Sequence, residues 1–279
     1  MFKFSRLGKL VIVAALLSVG VFASVAYATH SWGPYHWART SNPFTVKLGD
    51  NVSSAWDSYL ATASTDWSVS SVLDTTVVAG NAGSNLRRCR ATNGRVEVCN
   101  TTYGNTGWLG VASIWVDSSN HITQGTVKLN DTYFNTATYN TPDWRQFVTC
   151  QEVGHTFGLD HQDTNFSNTN LGTCMDYTND PSGTAGTNGT LNNEHPNQHD
   201  YDELAIIYNH LDSYTTLAAL LPPAPAGPGK SGRADTDLSD PGEWGTILRH
   251  DGKGHPSLYG RDLGHGEKVF TFVFWANEK

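Results

Sequence analysis

The stretch CQEVGHTFGLDH combines an acid, an amide and two histidines at spacings that suit a metal site. Residues four apart on a helix face the same way, so Gln151 and His155 can reach one ion. Glu152 flanks this face, and Gly158 ends the helix so that His161 can return as a third ligand. Three protein ligands plus water are typical of a catalytic zinc site. The pattern therefore predicts hydrolysis by a metal-activated water, with Glu152 as general base.

The first ligand position carries an unusual residue. The side-chain oxygen of Gln151 is as many bonds from Cα as the distal imidazole nitrogen of a histidine, so its reach is sufficient. A neutral amide oxygen is nevertheless a poorer zinc ligand than imidazole. We therefore expect a weakened metal site, which an extra oxygen ligand from Asp160 or Tyr177 would reinforce.

The motif resembles the H-E-x-x-H-x-x-G-x-x-H helix of the metzincin metallopeptidases, with Gln in place of the first His. Met175, within CMDY, resembles the methionine of the metzincin Met-turn. Leu109–Val116 and His121–Leu129 resemble the strand arrangement of the matrixin branch, and the whole resemblance spans roughly residues 44–211. It assigns His155, His161 and Gln151 to zinc, Glu152 to the general base, Gly158 to the turn and Met175 to an apolar floor.

This resemblance implies an α/β (α+β) fold with a twisted mixed sheet, an active-site helix, a Met-turn and a C-terminal helix around a substrate cleft. The implied function is that of a secreted zinc endopeptidase acting on peptide or protein substrates. In the astacin and serralysin branches, a Tyr placed like Tyr177 binds zinc or stabilises the oxyanion. The alternative is a weak or inactive peptide-binding relative, a pseudopeptidase. Retention of Glu152 favours the enzyme, and Gln151 favours the alternative.

The four cysteines are expected to form two disulfides, because an even count in an exported chain favours pairing. The strand-like runs Leu86–Ala91 and Arg95–Cys99 flank a polar turn, which favours a hairpin bridged by Cys89–Cys99. Cys150–Cys174 remains, and the resemblance would place these two segments against each other below the metal. A metal site built from all four thiolates is the alternative that the spacings support poorly.

The first 28 residues have the plan of a secretory signal peptide: a basic start, an apolar run and a small-x-small end at Ala28. An uncleaved membrane anchor is the alternative. Cleavage would remove three basic residues and change the formal net charge from −8 to −11. Such an acidic, exported protein is not expected to bind nucleic acid or, once cleaved, a membrane.

We divide the chain into a signal peptide (1–28), a metallopeptidase-like domain (29–215), a Pro-rich linker (216–232) and a small β-rich tail (233–279). Strands are predicted in the domain at Phe44–Leu48 and Thr75–Val78 in addition to those above. Helices are predicted from Val52, from Thr141 and over Tyr201–Leu211. The tail, with strand-like runs at Trp244–Leu248, Ser257–Tyr259 and Val269–Trp275, is expected to pack on the domain or on a copy of itself.

Only residues 29–43 separate the predicted cleavage site from the first predicted strand. This leaves little room for an N-terminal segment that would keep a peptidase latent. We therefore expect an activity that is weak, narrow in specificity or controlled by something else.

Two further groups of polar residues could bind metal. His195 and His199 are interpreted as anchors of the last helix rather than as ligands. A calcium site is the weaker interpretation of a loop rich in oxygen ligands, because such loops are usually solvated turns. Its candidate ligands are Asp160, Asp163, Asn165, Asn168 and Asn170.

Overall fold

The computed structural model describes residues 30–217 and 238–276. The predicted signal peptide and most of the predicted linker lie outside these residues. Within them, no helix is long and apolar enough to cross a membrane.

The described residues form one nine-stranded mixed sheet, in the order β3-β2-β4-β6-β5-β9-β8-β7, with the short β1 paired to β6. Strand β2 pairs in parallel with β3 and β4, and β6 pairs in parallel with β4 and β1. The remaining pairs are antiparallel: β5 with β6 and β9, and β8 with β7 and β9. The strands are β1 (His36–Trp37), β2 (Phe44–Asn51), β3 (Leu73–Ala79), β4 (Val96–Thr101), β5 (Trp108–Val116), β6 (His121–Asn130), β7 (Thr246–His250), β8 (Pro256–Gly264) and β9 (Glu267–Trp275).

Four helices accompany the sheet in this part of the chain: α1 (Asp57–Trp67), α2 (Asp131–Phe134), α3 (Pro142–His155) and α4 (Gln198–Ile207). A short 3-10 turn, Pro241–Glu243, precedes β7. Helix α3 begins as the sequence predicts, because the Thr141 hydroxyl accepts a hydrogen bond from the backbone of Trp144 and Pro142 follows it. The fold is thus mixed α+β, in agreement with the predicted class at this level.

One predicted strand is wrong. Residues Leu86–Ala91 form turns and irregular backbone rather than the first half of a hairpin. The reason lies in the sheet, since β4 has the parallel strands β2 and β6 on its two sides and offers no edge to a hairpin partner. The cysteines still pair as expected: Cys89 bonds to Cys99, and Cys150 bonds to Cys174.

The tail continues the sheet of the main domain. Strand β9 pairs along the whole of β5, with Phe272 opposite Ala112. Side chains alternate along a strand, so Phe270, Phe272 and Phe274 join the main core while the intervening Val269 and Val273 join a second cluster. The sequence allowed the tail to pack either on the main domain or on a copy of itself, and in the structure it packs on the main domain.

Candidate active site

Helix α3 carries three of the predicted site residues into the interior. Gln151 and Glu152 are fully buried and His155 is 1% exposed. Gly154 lies between them on the helix, where a Cβ would come within 2.6 Å of the Trp67 ring and 2.7 Å of the Met175 sulfur. Only glycine therefore permits this close approach of helix, core and Met175.

The chain turns back after α3 at Gly158. This residue has a φ of +95°, and a Cβ here would lie 2.5 Å from the Tyr35 carbonyl oxygen, so the turn requires glycine. The turn brings His161 to His155, with the two Nε2 atoms 3.0 Å apart. The structure thus joins the two histidines that the motif predicts as a ligand pair.

The Nε2 atoms of both histidines face each other, and each Nδ1 atom has another neighbour. Nδ1 of His155 donates to the Leu159 carbonyl (2.8 Å), and Nδ1 of His161 faces Asp160 (3.5 Å). Burial, with the neighbouring His161, lowers the pKa of His155 well below its usual range. Burial also lowers the pKa of His161, despite the opposing effect of Asp160. Two imidazoles whose lowered pKa values favour the neutral form, with Nε2 atoms 3.0 Å apart, suit a cation that both can contact.

Gln151 has one end of its side-chain amide fixed by a hydrogen bond and the other end unpartnered. Its Nε2 donates to the Cys174 carbonyl (2.8 Å), which leaves Oε1 buried and without a hydrogen-bond partner in the described chain. The Cys150–Cys174 disulfide joins the same two segments, with a Cα–Cα distance of 5.9 Å. An unpartnered buried acceptor is costly, and a metal ion would satisfy it. On this observation the residues fit a zinc ion.

Glu152 and Tyr177 also bring unpartnered oxygens into this interior. Neither carboxylate oxygen of Glu152 nor the hydroxyl of Tyr177 has a hydrogen bond of good geometry to any described residue. Burial raises the pKa of Glu152 well above its usual range, although the nearby backbone of Ala112 opposes this. Burial and the charge of Glu152 likewise raise the pKa of Tyr177. Burial therefore favours the neutral form of both groups.

Met175 lies beneath this group of side chains and is fully buried. Its backbone N–H donates to the Thr173 hydroxyl (3.0 Å), and its carbonyl accepts from Gln162 (2.7 Å). Tyr177, two residues on, packs its ring 4.3 Å from that of His161.

Asp160 does not supply the extra ligand that the sequence left open for it. One carboxylate oxygen accepts from the His161 backbone (2.9 Å), and the other pairs with the Arg249 guanidinium. Burial alone would raise the pKa of Asp160, but its bonds to His161 and Arg249 hold it well below the usual range. The charge pair instead joins the tail to the loop that follows α3.

The tail covers the site, and the motif of helix α3 did not predict this cover. The ring of Phe272 stacks on His155, with centroids 4.2 Å apart and planes within 9°. Phe274 contacts the Tyr177 ring edge-on at 4.9 Å. Because β9 also occupies the outer side of β5, the tail covers both the histidine pair and the strand beside it.

The calcium interpretation finds no support. The candidate residues have other partners: Asp160 binds Arg249, Asp163 accepts from the backbone of Asn165 and from the side chain of Asn168, and Asn170 donates to the carbonyl groups of Asp180 and Leu191. The side-chain oxygens of Asp160, Asp163 and Asn165 thus accept other bonds, whereas those of Asn168 and Asn170 are buried without a partner among the described residues.

The two histidines near the last helix have separate partners. His195 pairs with Asp66 (2.7 Å), whereas His199 stacks on His30, which lies 3.1 Å from Asp200. Asp200 already accepts from Thr173, Gln162 and the Asn197 backbone, and it completes the capping box that begins α4. Ligand atoms of His30, His199 and Asp200 also lie within 4.8 Å of one another, so the structure does not decide between the anchor and the metal ligand for His199.

Comparison with known proteins adds little to this geometry. No family model matches the chain, and no curated protein does. The solved structures that match include High choriolytic enzyme 1, a hatching enzyme zinc-protease from Oryzias latipes (medaka fish). It is 12% identical over 62% of this chain and 94% of that chain, with a TM-score of 0.34. A similarity this low does not establish a shared function.

Proposed function

We propose that this protein is a secreted zinc endopeptidase of the metzincin type, held closed by its own C-terminal strand β9. The observation that carries the proposal is a group of buried ligand atoms in the interior, several of which have no hydrogen-bond partner among the described residues. The Nε2 atoms of His155 and His161 face each other at 3.0 Å, and the side-chain oxygens of Gln151 and Glu152 are buried without hydrogen-bond partners among the residues described. Such a group suits a metal ion and a hydrolytic water better than a packed core.

His155, His161 and Gln151 would hold the zinc. When bound, zinc supplies Lewis-acid chemistry, which polarises a peptide carbonyl and acidifies water. Glu152, one residue beyond Gln151 on α3, would take the proton from the attacking water and pass it to the leaving amine. Tyr177, whose hydroxyl is free within the described structure, would donate a hydrogen bond to the oxygen that becomes negative.

The substrate class follows from strand β5. An extended peptide can add to an open sheet edge through main-chain hydrogen bonds. Strand β5 would be such an edge if β9 were absent, because its other side is already paired with β6. A peptide bound along β5 would lie where Phe272 now covers His155. We therefore assign extended peptide or unfolded protein segments as substrates.

The closed arrangement supports latency. Phe272 and Phe274 cover the site from one side, and Arg249 fixes the preceding hairpin to Asp160. No substrate carbonyl can reach His155 until β9 leaves β5. Control by the C-terminal tail would supply this latency. The two disulfides, with the predicted export signal, support action outside the cell.

The test uses the full chain with a specific protease site inserted into the Pro-rich run between Leu221 and Lys230. Cutting this linker, followed by mild denaturant and zinc, should release cleavage of an unstructured protein substrate, whereas the uncut protein stays inactive. The same cleavable protein carrying Glu152→Gln must remain inactive after cutting. The proposed enzymatic function is refuted if both cut proteins are equally inactive although each has a native circular dichroism spectrum and one zinc bound at the site.

A second candidate function is peptide binding without catalysis, and Gln151 favours it because an amide ligand weakens the metal site. In that case the cut protein would bind an extended peptide along β5, with or without zinc. Peptide affinity that is unchanged by a chelator, together with no hydrolysis, would select this alternative.

A further inference from the structure

A second cluster of histidines lies outside the candidate active site. Strands β1 and β6 pair in parallel, and their register sets His36 directly opposite His121. The segment after α4 runs along the chain that follows β1, since Asp212 donates its backbone N–H to Arg39 (2.9 Å) and Thr216 donates to Ala38 (3.0 Å). Three separate parts of the chain thus converge on one point.

The side chains at this point have the spacing of metal ligands. The Nε2 atom of His121 lies 3.3 Å from Oδ1 of Asp212, and ligand atoms of these two residues and His36 all lie within 4.8 Å of one another. Nε2 of His210 lies 3.2 Å from Nε2 of His36 and 3.7 Å from Oδ1 of Asp212. Ligands of a tetrahedral zinc, at bond lengths of about 2.0–2.1 Å, are separated by about 3.3 Å.

The second contacts of the histidines leave their Nε2 atoms available. Nδ1 of His36 donates to the Pro34 carbonyl (2.8 Å), and Nδ1 of His210 faces the side-chain oxygen of Asn209 (3.3 Å). Nδ1 of His121 forms a hydrogen bond with the Tyr214 hydroxyl (2.5 Å). Metal-binding histidines commonly use the other ring nitrogen in this way, which fixes the tautomer and the ring orientation.

Asp212 is divided between two roles. Its Oδ2 accepts from the Arg39 guanidinium (2.8 Å) and from the Arg39 backbone (3.1 Å). Its Oδ1 is the atom that faces His121 and His210. One oxygen therefore anchors the carboxylate, and the other is directed at the histidines.

An ion can reach this cluster from solvent. His36 and His210 line a cavity of about 440 Å³, together with Pro34 and Asn209. His36, His121 and Asp212 are largely buried, whereas the His210 side chain is half exposed. Three ligands are thus preformed, and His210 can close over the ion from the surface.

We propose that His36, His121, His210 and Asp212 bind a structural zinc ion. Four protein ligands leave no position for a reacting water, which is typical of structural rather than catalytic zinc. The ion would join β1 and the segment after α4 to the start of β6. It would thereby fix the two ends of the main domain to its sheet, independently of any catalytic activity.

The test counts zinc in full-length protein whose candidate active site has been emptied by His155→Ala and His161→Ala. After equilibration with zinc and desalting, this variant should retain one zinc per chain by elemental analysis. With Co²⁺ instead, it should show the intense visible absorption of four-coordinate cobalt. Adding Asp212→Asn, which keeps an acceptor for Arg39, or His210→Ala, at an exposed position, should weaken zinc binding at least ~10-fold.

His250→Gln serves as the matched control, because His250 is exposed on β7 and lies outside both clusters. It should leave zinc content and affinity unchanged. The proposal is overturned if the folded His155→Ala/His161→Ala variant retains no zinc. It is equally overturned if its zinc is insensitive to both Asp212→Asn and His210→Ala. Neither outcome depends on whether the protein is a peptidase.

Discussion

Replacing Phe272 by Ala should convert the closed protein into a measurably active one. The Phe272 ring is 1% exposed and stacks on His155, so it contributes to closure only while β9 is paired with β5. The substitution removes this contact from the closed state and costs the open state nothing. We therefore expect the population of open molecules to rise.

The size of the effect follows from burial. Truncation of a buried Phe to Ala costs about 3–5 kcal/mol. If about 3 kcal/mol of this falls on the closed state, the open fraction rises about 100-fold, because each 1.4 kcal/mol corresponds to a factor of ten. Activity should rise by the same factor as long as most molecules remain closed.

The assay is hydrolysis of a fluorogenic extended peptide by wild type, Phe272→Ala and a matched core variant, Leu73→Ala. Leu73 is fully buried on β3, at the other end of the sheet from β9, and its truncation costs about 2–5 kcal/mol. Leu73→Ala should destabilise the whole fold without opening the cleft. Equal activity of these two variants, or activity that survives Glu152→Gln, would refute the reasoning.

Three further predictions concern the metal and the folded state. Gln151→His should tighten zinc binding by about two orders of magnitude, because imidazole is the better ligand, and competition with a chromophoric chelator measures this. Replacing both Cys150 and Cys174 by Ala should lower the free energy of unfolding by about 3.5 kcal/mol and weaken zinc binding. The same change at Cys89 and Cys99 should lower the free energy of unfolding by about 3 kcal/mol and leave zinc binding unchanged. Denaturant titration measures the stability of both variants, and chelator titration measures their zinc affinity. Burial raises the pKa of Asp176 from 3.8 to about 6, so the stability that its protonated form contributes is full below pH 4 and is lost as the pH rises through 6. Asp176→Asn should therefore become more stable relative to wild type as the pH rises over this interval. A stability difference that stays constant with pH would contradict the raised pKa.

The elements around the motif were predictable because their signals are local. A capping hydroxyl, a proline and an acid mark the start of α3, and Gly158 marks the turn after it. Strand β5 is a long, mostly apolar run, as buried strands are. The meeting of His155 and His161 follows from helical spacing and one turn.

The pairing of β9 with β5 was not predictable, because Ala112 and Phe272 lie in distant parts of the chain and no local pattern specifies the partner of a strand. A partial signal exists in VFTFVFW, which is apolar on both faces. Such a strand needs cover on two sides, which a short appendage cannot provide. The cluster of His36, His121, His210 and Asp212 likewise has no motif, since only sheet register and the path after α4 bring it together.

If the proposed closure holds, strand β9 would affect the protonation of Glu152 as well as access to the site. In the closed protein, burial raises the pKa of this carboxyl well above its usual range, which favours its protonated form, and a protonated carboxyl cannot take a proton from water. Departure of Phe272 and Phe274 would admit water, and the pKa of Glu152 would fall towards its ordinary value. Under the proposed mechanism, the same movement that exposes the histidine pair would therefore favour the ionised form that a general base requires. Covering of the histidine pair and protonation of Glu152 would then both oppose hydrolysis, so the C-terminal strand would suffice for latency even with the weak ligand Gln151 at the proposed metal site.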